Sequence, residues 1–454
     1  MRKILSGRRA SSKGAFKILI DTTKLAFGSS AADQFTFPIV NGTDKLGQTI
    51  NFTIDWGEAG TPPTQVTSAN YLVACQHTYT TGGQYEVSAT GSIAGFAFFN
   101  AAHATNRKDS QKLIEIRQWG DLKLTGGADL NAAGGLGQAF RGCANLTDVT
   151  CTDLPTFGRE EAPGFSNFRI GMMAMFTDCT SLETINRLAD WDVSGMQSMI
   201  ASFMNCTALL SGTTGVTGVP LNFSNWDVER VTDFSSTFSG VGKVDLKMWA
   251  SFGGQAFGSG IKMGNMFMNC ANFTGSLGGI TAWGNKTSAV NTMSQMFRGA
   301  KTFNGNISNF DTSGCSNMYE MFSSNGLGIP QQMIFNQNIS VWDVSNVTDM
   351  RGIFTNCASF DQPIGDWDVS AWANNSVSVQ PLAVPGGVFK LSNSNYNDLL
   401  LKWDVYLFSS MPNGTVNFGT SQFNLVSPGP GDLYTNARNS LIAKWGGISD
   451  GGGV

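Results

Sequence analysis

A repeat constrains this chain more than anything else in it. The unit reads Met-x-x-Met-Phe-x-x-Cys-x-x-Phe/Leu, and its anchors are Phe140, Phe176, Phe203, Phe238, Phe267, Phe297, Phe322 and Phe354. Successive anchors are 36, 27, 35, 29, 30, 25 and 32 residues apart. So uneven a period fits a stack of coils. Each coil has only to match its neighbours, and loops of any length leave from its edge. The shortest spacing is read as the bare coil. The longer ones carry insertions, placed at 147–170, 207–225, 241–260 and 323–334.

Each column of the repeat has a physical reason. A large apolar side chain recurring once per coil stacks on its equivalents and fills a continuous core. Three residues after the anchor stand Cys143, Cys179, Cys206, Cys270 and Cys357, with Ala300 and Asn325 in the same place. A position that accepts Cys, Ala or Asn is a small packing site, where free Cys behaves as a small hydrophobe. The thiols are therefore expected to be structural, not a disulfide framework or metal ligands. No Cys-x-x-Cys pair occurs. A Trp-Asp-Val-Ser segment follows at Trp191, Trp342 and Trp367, with a degenerate form at Trp226. Its alternation of apolar and polar residues predicts a short half-buried strand. Its Asp and Ser suit turn and cap roles before the Val-Thr-Asp-Met turn. Asp recurs at one place in the segment, and Asp-x-Asp occurs only at Asp190/Asp192 and Asp366/Asp368, too sparse for calcium.

The string Trp342-Asp343-Val344-Ser345-Asn346-Val347-Thr348-Asp349-Met350, followed by Phe354-x-x-Cys357-x-x-Phe360, resembles the BspA-type leucine-rich repeats of mycoplasma, marine bacterial and phage proteins. The last three copies match closely and those before about Val290 are degenerate. The resemblance implies a right-handed solenoid with a short parallel strand in each coil. It also implies a role in adhesion or recognition, and no catalytic residues.

The flanks read differently. Phe16, Ile18 and Ile20 alternate, as do Phe35 and Phe37, Phe52 and Ile54, and Tyr85, Val87 and Ala89. Such short runs between turn residues predict an antiparallel sandwich. Asp55-Trp56-Gly57-Glu58 and His77-Thr78-Tyr79 resemble the turn and strand of a PKD-type Ig-like domain, with Glu58 where that family usually has Asp. His77 is expected to be a packed structural histidine. Near the C-terminus, Tyr396–Trp403 and Ala437–Trp445 have helical spacing, and Val416 to Phe423 predicts a strand. This region resembles the terminal cap that often closes proteins of this repeat family. The expected fold is mainly β: a basic arm (1–14), an Ig-like β-sandwich (15–105), a leucine-rich-repeat-type solenoid (106–370), a connector (371–390) and a C-terminal α/β cap (391–454).

Composition narrows the function. Charged residues make up 14%, well under the usual quarter, and Gly, Ser, Thr and Asn take their place. No run is long and apolar enough for a membrane span. Arg2, Lys3, Arg8, Arg9 and Lys13 precede the first acid. They contribute +5 to a net charge of −4, so the rest carries −9. These five residues are a candidate docking arm for an acidic partner. The acidic body argues against nucleic-acid binding. With two histidines, His77 and His103, most His-based triads and metal sites are excluded. There is no P-loop. No cofactor, metal or catalytic residue is expected. No secretory signal is read. A surface repeat without one leads to the expectation of a phage virion protein: a fibre, tail appendage or capsid decoration. Its partners would be other virion proteins, through the arm and Ig-like domain, and a host-surface glycan or protein, with self-association in the particle. The alternatives are a bacterial or secreted adhesin, and a carbohydrate-active enzyme on a solenoid.

Overall fold

The computed structural model describes residues 14–39, 50–93, 96–98, 109–122, 124, 138–157, 171–210, 219–249, 260–276, 279–324, 332–371, 389–406, 414–418, 420–422 and 432–451. The five basic arm residues, His103, Asn325 and most of the 371–390 connector lie outside them. The chain is mainly β, with few helices and one large mixed sheet.

The alternating N-terminal runs form strands. β1 (Phe16–Asp21) buries Phe16, Ile18 and Ile20 on one face. Two strands follow it, β2 (Gln34–Thr36) and β3 (Asn51–Asp55). Next are β4 (Thr64–Thr67), the short helix α1 (Tyr71–Ala74), β5 (Gln76–Thr78) and β6 (Gln84–Ser92). β1 lies antiparallel to β6, with Phe16 opposite Ala89 and Ile18 opposite Val87. β3 joins the other side of β6. β2 and β5 make a separate antiparallel pair. Phe37 meets Phe16 and Phe52 at 6.4 and 5.7 Å between ring centroids, so the two sheets share one core.

The Trp56-Gly57-Glu58 turn is held by aromatic and polar contacts together. Gly57 has φ +72°, and a Cβ there would stand 2.3 Å from the Glu86 carbonyl oxygen, so only glycine fits. Trp56 is buried and stacks on His77 at 5.0 Å. Glu58 Oε2 lies 2.9 Å from His77 Nε2, and Glu58 Oε1 accepts the Thr80 N–H at 2.7 Å. The Thr80 amide first, then His77, hold the Glu58 carboxyl at about 2, below its ordinary 4.5. A depressed carboxylate stabilises the fold fully above its unfolded value, and that contribution is lost as pH falls from about 4.5 through 2. In Glu58→Gln, denaturation midpoints followed across that window should fall less steeply with acid than in the parent. An unchanged slope would assign the acid sensitivity to other groups.

β7 (Leu113–Gln118) links the two halves of the molecule. On one side it pairs antiparallel with β1. On the other it pairs parallel with β8 (Asp148–Val149), which pairs parallel with β9 (Thr184–Ile185). The result is one seven-stranded sheet in the order β4-β3-β6-β1-β7-β8-β9. The N-terminal module thereby covers an edge that the stack would otherwise expose. A buried ion pair pins the entry to β7. Lys112 is 0% exposed. Its Nζ donates to the carbonyls of Ser30, Ala31 and Gln34 at 3.1, 2.8 and 2.7 Å and sits 3.4 Å from Asp109 Oδ1. Asp109 in turn accepts the N–H groups of Ser30 and Thr36 at 3.0 and 2.7 Å.

Beyond β9 the coils lie side by side in parallel. β10 (Leu221–Asn222) pairs with β11 (Leu246–Lys247), and β12 (Ile261–Lys262) with β13 (Val290–Thr292). Single parallel bridges link Gly171, Ser198, Asp233 and Lys262 in succession, then Thr292, Asn317 and Asp349. These bridges fall on the Thr-Asp-Met segment. The Trp-Asp-Val-Ser segment, expected to be the strand, alternates in burial but has no ladder bonds. Its N–H groups are drawn into local turns by Asp. The expected insertions are also narrower than the sequence suggests. β8, β10, β11 and the buried rings of Phe223 and Trp249 all fall inside them. They continue the coil after its Cys position.

The C-terminal region is an α/β unit: α2 (Asn393–Tyr406), β14 (Gly414–Asn417), α3 (Leu433–Trp445) and β15 (Gly446–Ser449). Tyr396, Leu399, Leu400 and Trp403 form the buried stripe of α2. The strand expected at 416–423 starts two residues earlier and ends at Asn417, pairing in parallel with β15. Buried Asp450, just after β15, accepts from Arg438 at 2.9 and 3.0 Å and from the Tyr396 hydroxyl.

Candidate binding surface

Six of the eight anchor turns share one backbone pattern. The residues two before and two after the Phe adopt left-handed φ, as with Asn265 (+57°) and Asn269 (+61°) around Phe267. Phe140 has only the later position (Gly142) and Phe322 only the earlier one (Glu320). This points alternate N–H groups at the next coil. Asn265, Phe267 and Asn269 donate to the carbonyls of Ser294, Met296 and Arg298 at 2.9, 2.9 and 2.8 Å. Ala201, Phe203 and Asn205 do the same to Ser235, Thr237 and Ser239. The later left-handed position is Gly142, Asp178, Asn205, Gly240, Asn269, Gly299 and Asn356, and the Phe322 coil, with Ser324 in that place, does not use it. Only residues that tolerate positive φ stand there. This column, immediately before the Cys, was readable in the sequence as a run of Gly, Asn and Asp.

The eight anchor rings form one stack. Centroids from Phe140 to Phe354 are 5.5–6.0 Å apart and tilted by no more than 18°. A second stack of Phe273, Phe303, Phe335 and Phe360 runs beside it. Both flanking modules join the first. Phe98 of the N-terminal module donates its N–H to the Ala139 carbonyl, the place an anchor Phe would use. At the other end Phe389 stacks on Phe354 at 5.6 Å. The sequence reading missed both, because neither lies in a recognisable copy of the repeat.

The other columns meet where the sequence placed them. Cys143, Cys179, Cys206, Cys270 and Cys357 are buried and unbridged. The thiols of Cys179, Cys206 and Cys270 point to the carbonyls of Phe140, Phe176 and Phe238 in the preceding coil, at 3.1, 3.1 and 2.9 Å. Burial pushes every thiol up: Cys315 to about 11, Cys75 to about 12, and the five column thiols above that range. Alkylation of the folded chain with iodoacetamide at pH 8 should leave all eight cysteines unmodified, and modify all eight in denaturant. Rapid labelling of any column cysteine in the folded protein would contradict this packing. The indole N–H groups of Trp226, Trp342 and Trp367 donate to the carbonyls of Leu188, Ile307 and Ile339 one coil back, at 2.9–3.1 Å. Trp191 packs against Phe176.

The Asp of each Trp-Asp-Val-Ser segment closes a turn. Asp192, Asp343 and Asp368 accept the N–H two residues on, at 2.9–3.1 Å. With Asp227 they place an exposed acidic group on four of the coils. The Ser345 hydroxyl holds the Asp343 carboxyl below its ordinary value. An open polar cleft of about 440 Å³ is lined by Arg187, Asp190, Trp191, Asp192, Asn225 and Asp227 among others. Its charged groups are already engaged: Arg187 pairs with Asp190 at 3.0 Å and Asp192 holds Ser194. The arrangement suits display of polar groups at a fixed spacing.

Residues 170–278 and 261–381 match the model of a family described as Mycoplasma protein of unknown function, DUF285. The match covers the same coils that resemble BspA-type repeats and is in keeping with a surface protein of that type. No curated protein and no solved structure matches the chain significantly.

Proposed function

We propose that this chain is a non-enzymatic adhesive surface protein. In this reading residues 106–370 are a right-handed leucine-rich-repeat-type solenoid. A PKD-type Ig-like domain closes its first coil and an α/β unit its last. The protein is displayed on a phage particle, held through its basic arm and Ig-like domain, and the solenoid meets the host surface. The observation that carries this is the unbroken phenyl stack from Phe140 to Phe354, joined at each end by a flanking module through Phe98 and Phe389. Side chains and backbone are spent on holding coil to coil, which leaves a long regular exterior for contact. The family match to the same coils supports a surface role. Mass spectrometry of gradient-purified virions, with adhesion of the purified chain to host cells, tests the proposal. The chain should co-purify with particles and bind cells. Its absence from particles would end the virion reading, and absence of cell binding the adhesive one.

A further inference from the structure

Beside the second phenyl stack, two successive coils repeat one short string. Phe303-Asn304-Gly305-Asn306-Ile307-Ser308 is followed one coil later by Phe335-Asn336-Gln337-Asn338-Ile339-Ser340. Both Phe and both Ile are buried, and all four Asn are exposed. The amides are not loose. Asn304 Oδ1 accepts the Asn336 N–H and Asn336 Oδ1 accepts the Asp361 N–H, both at 2.9 Å. Asn306 and Asn338 Oδ1 accept the N–H of Ser308 and Ser340 at 3.0 and 2.9 Å. A backbone N–H can be met only by an amide oxygen, so each bond fixes which end of the amide faces inward. Four exposed side chains thus hold their Nδ2 donors away from those bonds, two per coil, at the interval of the coils.

We propose that Asn304, Asn306, Asn336 and Asn338 bind a neutral linear polysaccharide running along the stack. The block offers donors already oriented, which lowers the ordering cost of binding. It therefore suits a ligand that presents hydroxyl and ring oxygens once per step. The same two coils carry Asp311 and Asp343, and the next one Asp368, which disfavours an anionic polymer.

This rests on the adhesive reading and gives it a ligand class. The test uses the full chain with insoluble cellulose, chitin and agarose, and with alginate and heparin as anionic probes. Asn304→Asp/Asn336→Asp keeps the inward oxygens and removes the outward donors. Asp is accommodated in this column, since Asp361 accepts the Ser392 N–H at 2.8 Å one coil later. The parent should bind at least one neutral polymer, and the variant should lose tenfold or more in affinity with an unchanged melting midpoint. If that variant melts early, Asn306→Asp/Asn338→Asp carries the same test. Parent-like binding by a folded variant, binding to alginate or heparin alone, or no binding to any neutral polymer would overturn the site. Host-cell adhesion that survives periodate treatment of the cells would also overturn it, while leaving the adhesive reading intact.

Discussion

Lys112→Ala should destabilise the chain by about 3–5 kcal/mol, the cost of leaving a buried charge without its partner. Lys112 and Asp109 are both fully buried, and burial pulls the Lys112 ammonium below its usual value while Asp109 pulls it back. Removing the ammonium strands Asp109 and three carbonyls of the 30–34 loop. Because Lys112 directly precedes β7, the damage should reach both halves of the seven-stranded sheet. Guanidinium titration would give the loss, and amide exchange should show faster opening at Ile18 and Ile116 together. Asp109→Asn/Lys112→Met should recover part of it, since no lone charge is left. A loss under about 1 kcal/mol, the range of an exposed pair, would mean that water reaches this pair in solution.

Phe267→Ala should cost about 3–5 kcal/mol, as truncating a buried aromatic does. Its ring lies 5.9 Å from Phe238, 5.7 Å from Phe297 and 4.3 Å from Phe273. In a stack whose stability comes from neighbour interfaces, an inner ring serves two interfaces and a terminal ring one. Phe389→Ala should therefore cost clearly less than Phe267→Ala. Equal losses in the same denaturant titration would mean that the coils do not couple through this column.

The anchor, Cys and Trp columns were legible because each depends on residue type recurring at one place. The relations between coils were not. Whether Trp226 reaches Leu188, or Asp361 reaches the start of α2, depends on which residues the stack brings level, and uneven insertions hide that register. The Trp-Asp-Val-Ser segment misled for a related reason. Its burial alternates as a strand's would, but Asp takes the N–H that a ladder would need. Trp249 falls inside an expected insertion because its coil lacks the Asp-Val-Ser that follows Trp191, Trp342 and Trp367. That β7 is shared was not legible, since neither its sequence nor its length differs from an ordinary strand of the N-terminal half.

The turn pattern around the anchors also makes the stack a one-way structure. There every backbone bond between coils has its N–H in the earlier coil and its carbonyl in the later one. The two ends of the assembly are therefore chemically unlike, as the two ends of a filament are. The leading end shows spare acceptors, and the Phe98 N–H is the complement it needs. The trailing end shows spare donors and asks its cap for oxygens. Exchanging the two terminal modules would set acceptor against acceptor and donor against donor. The same rule lets additional coils enter in head-to-tail order and in no other.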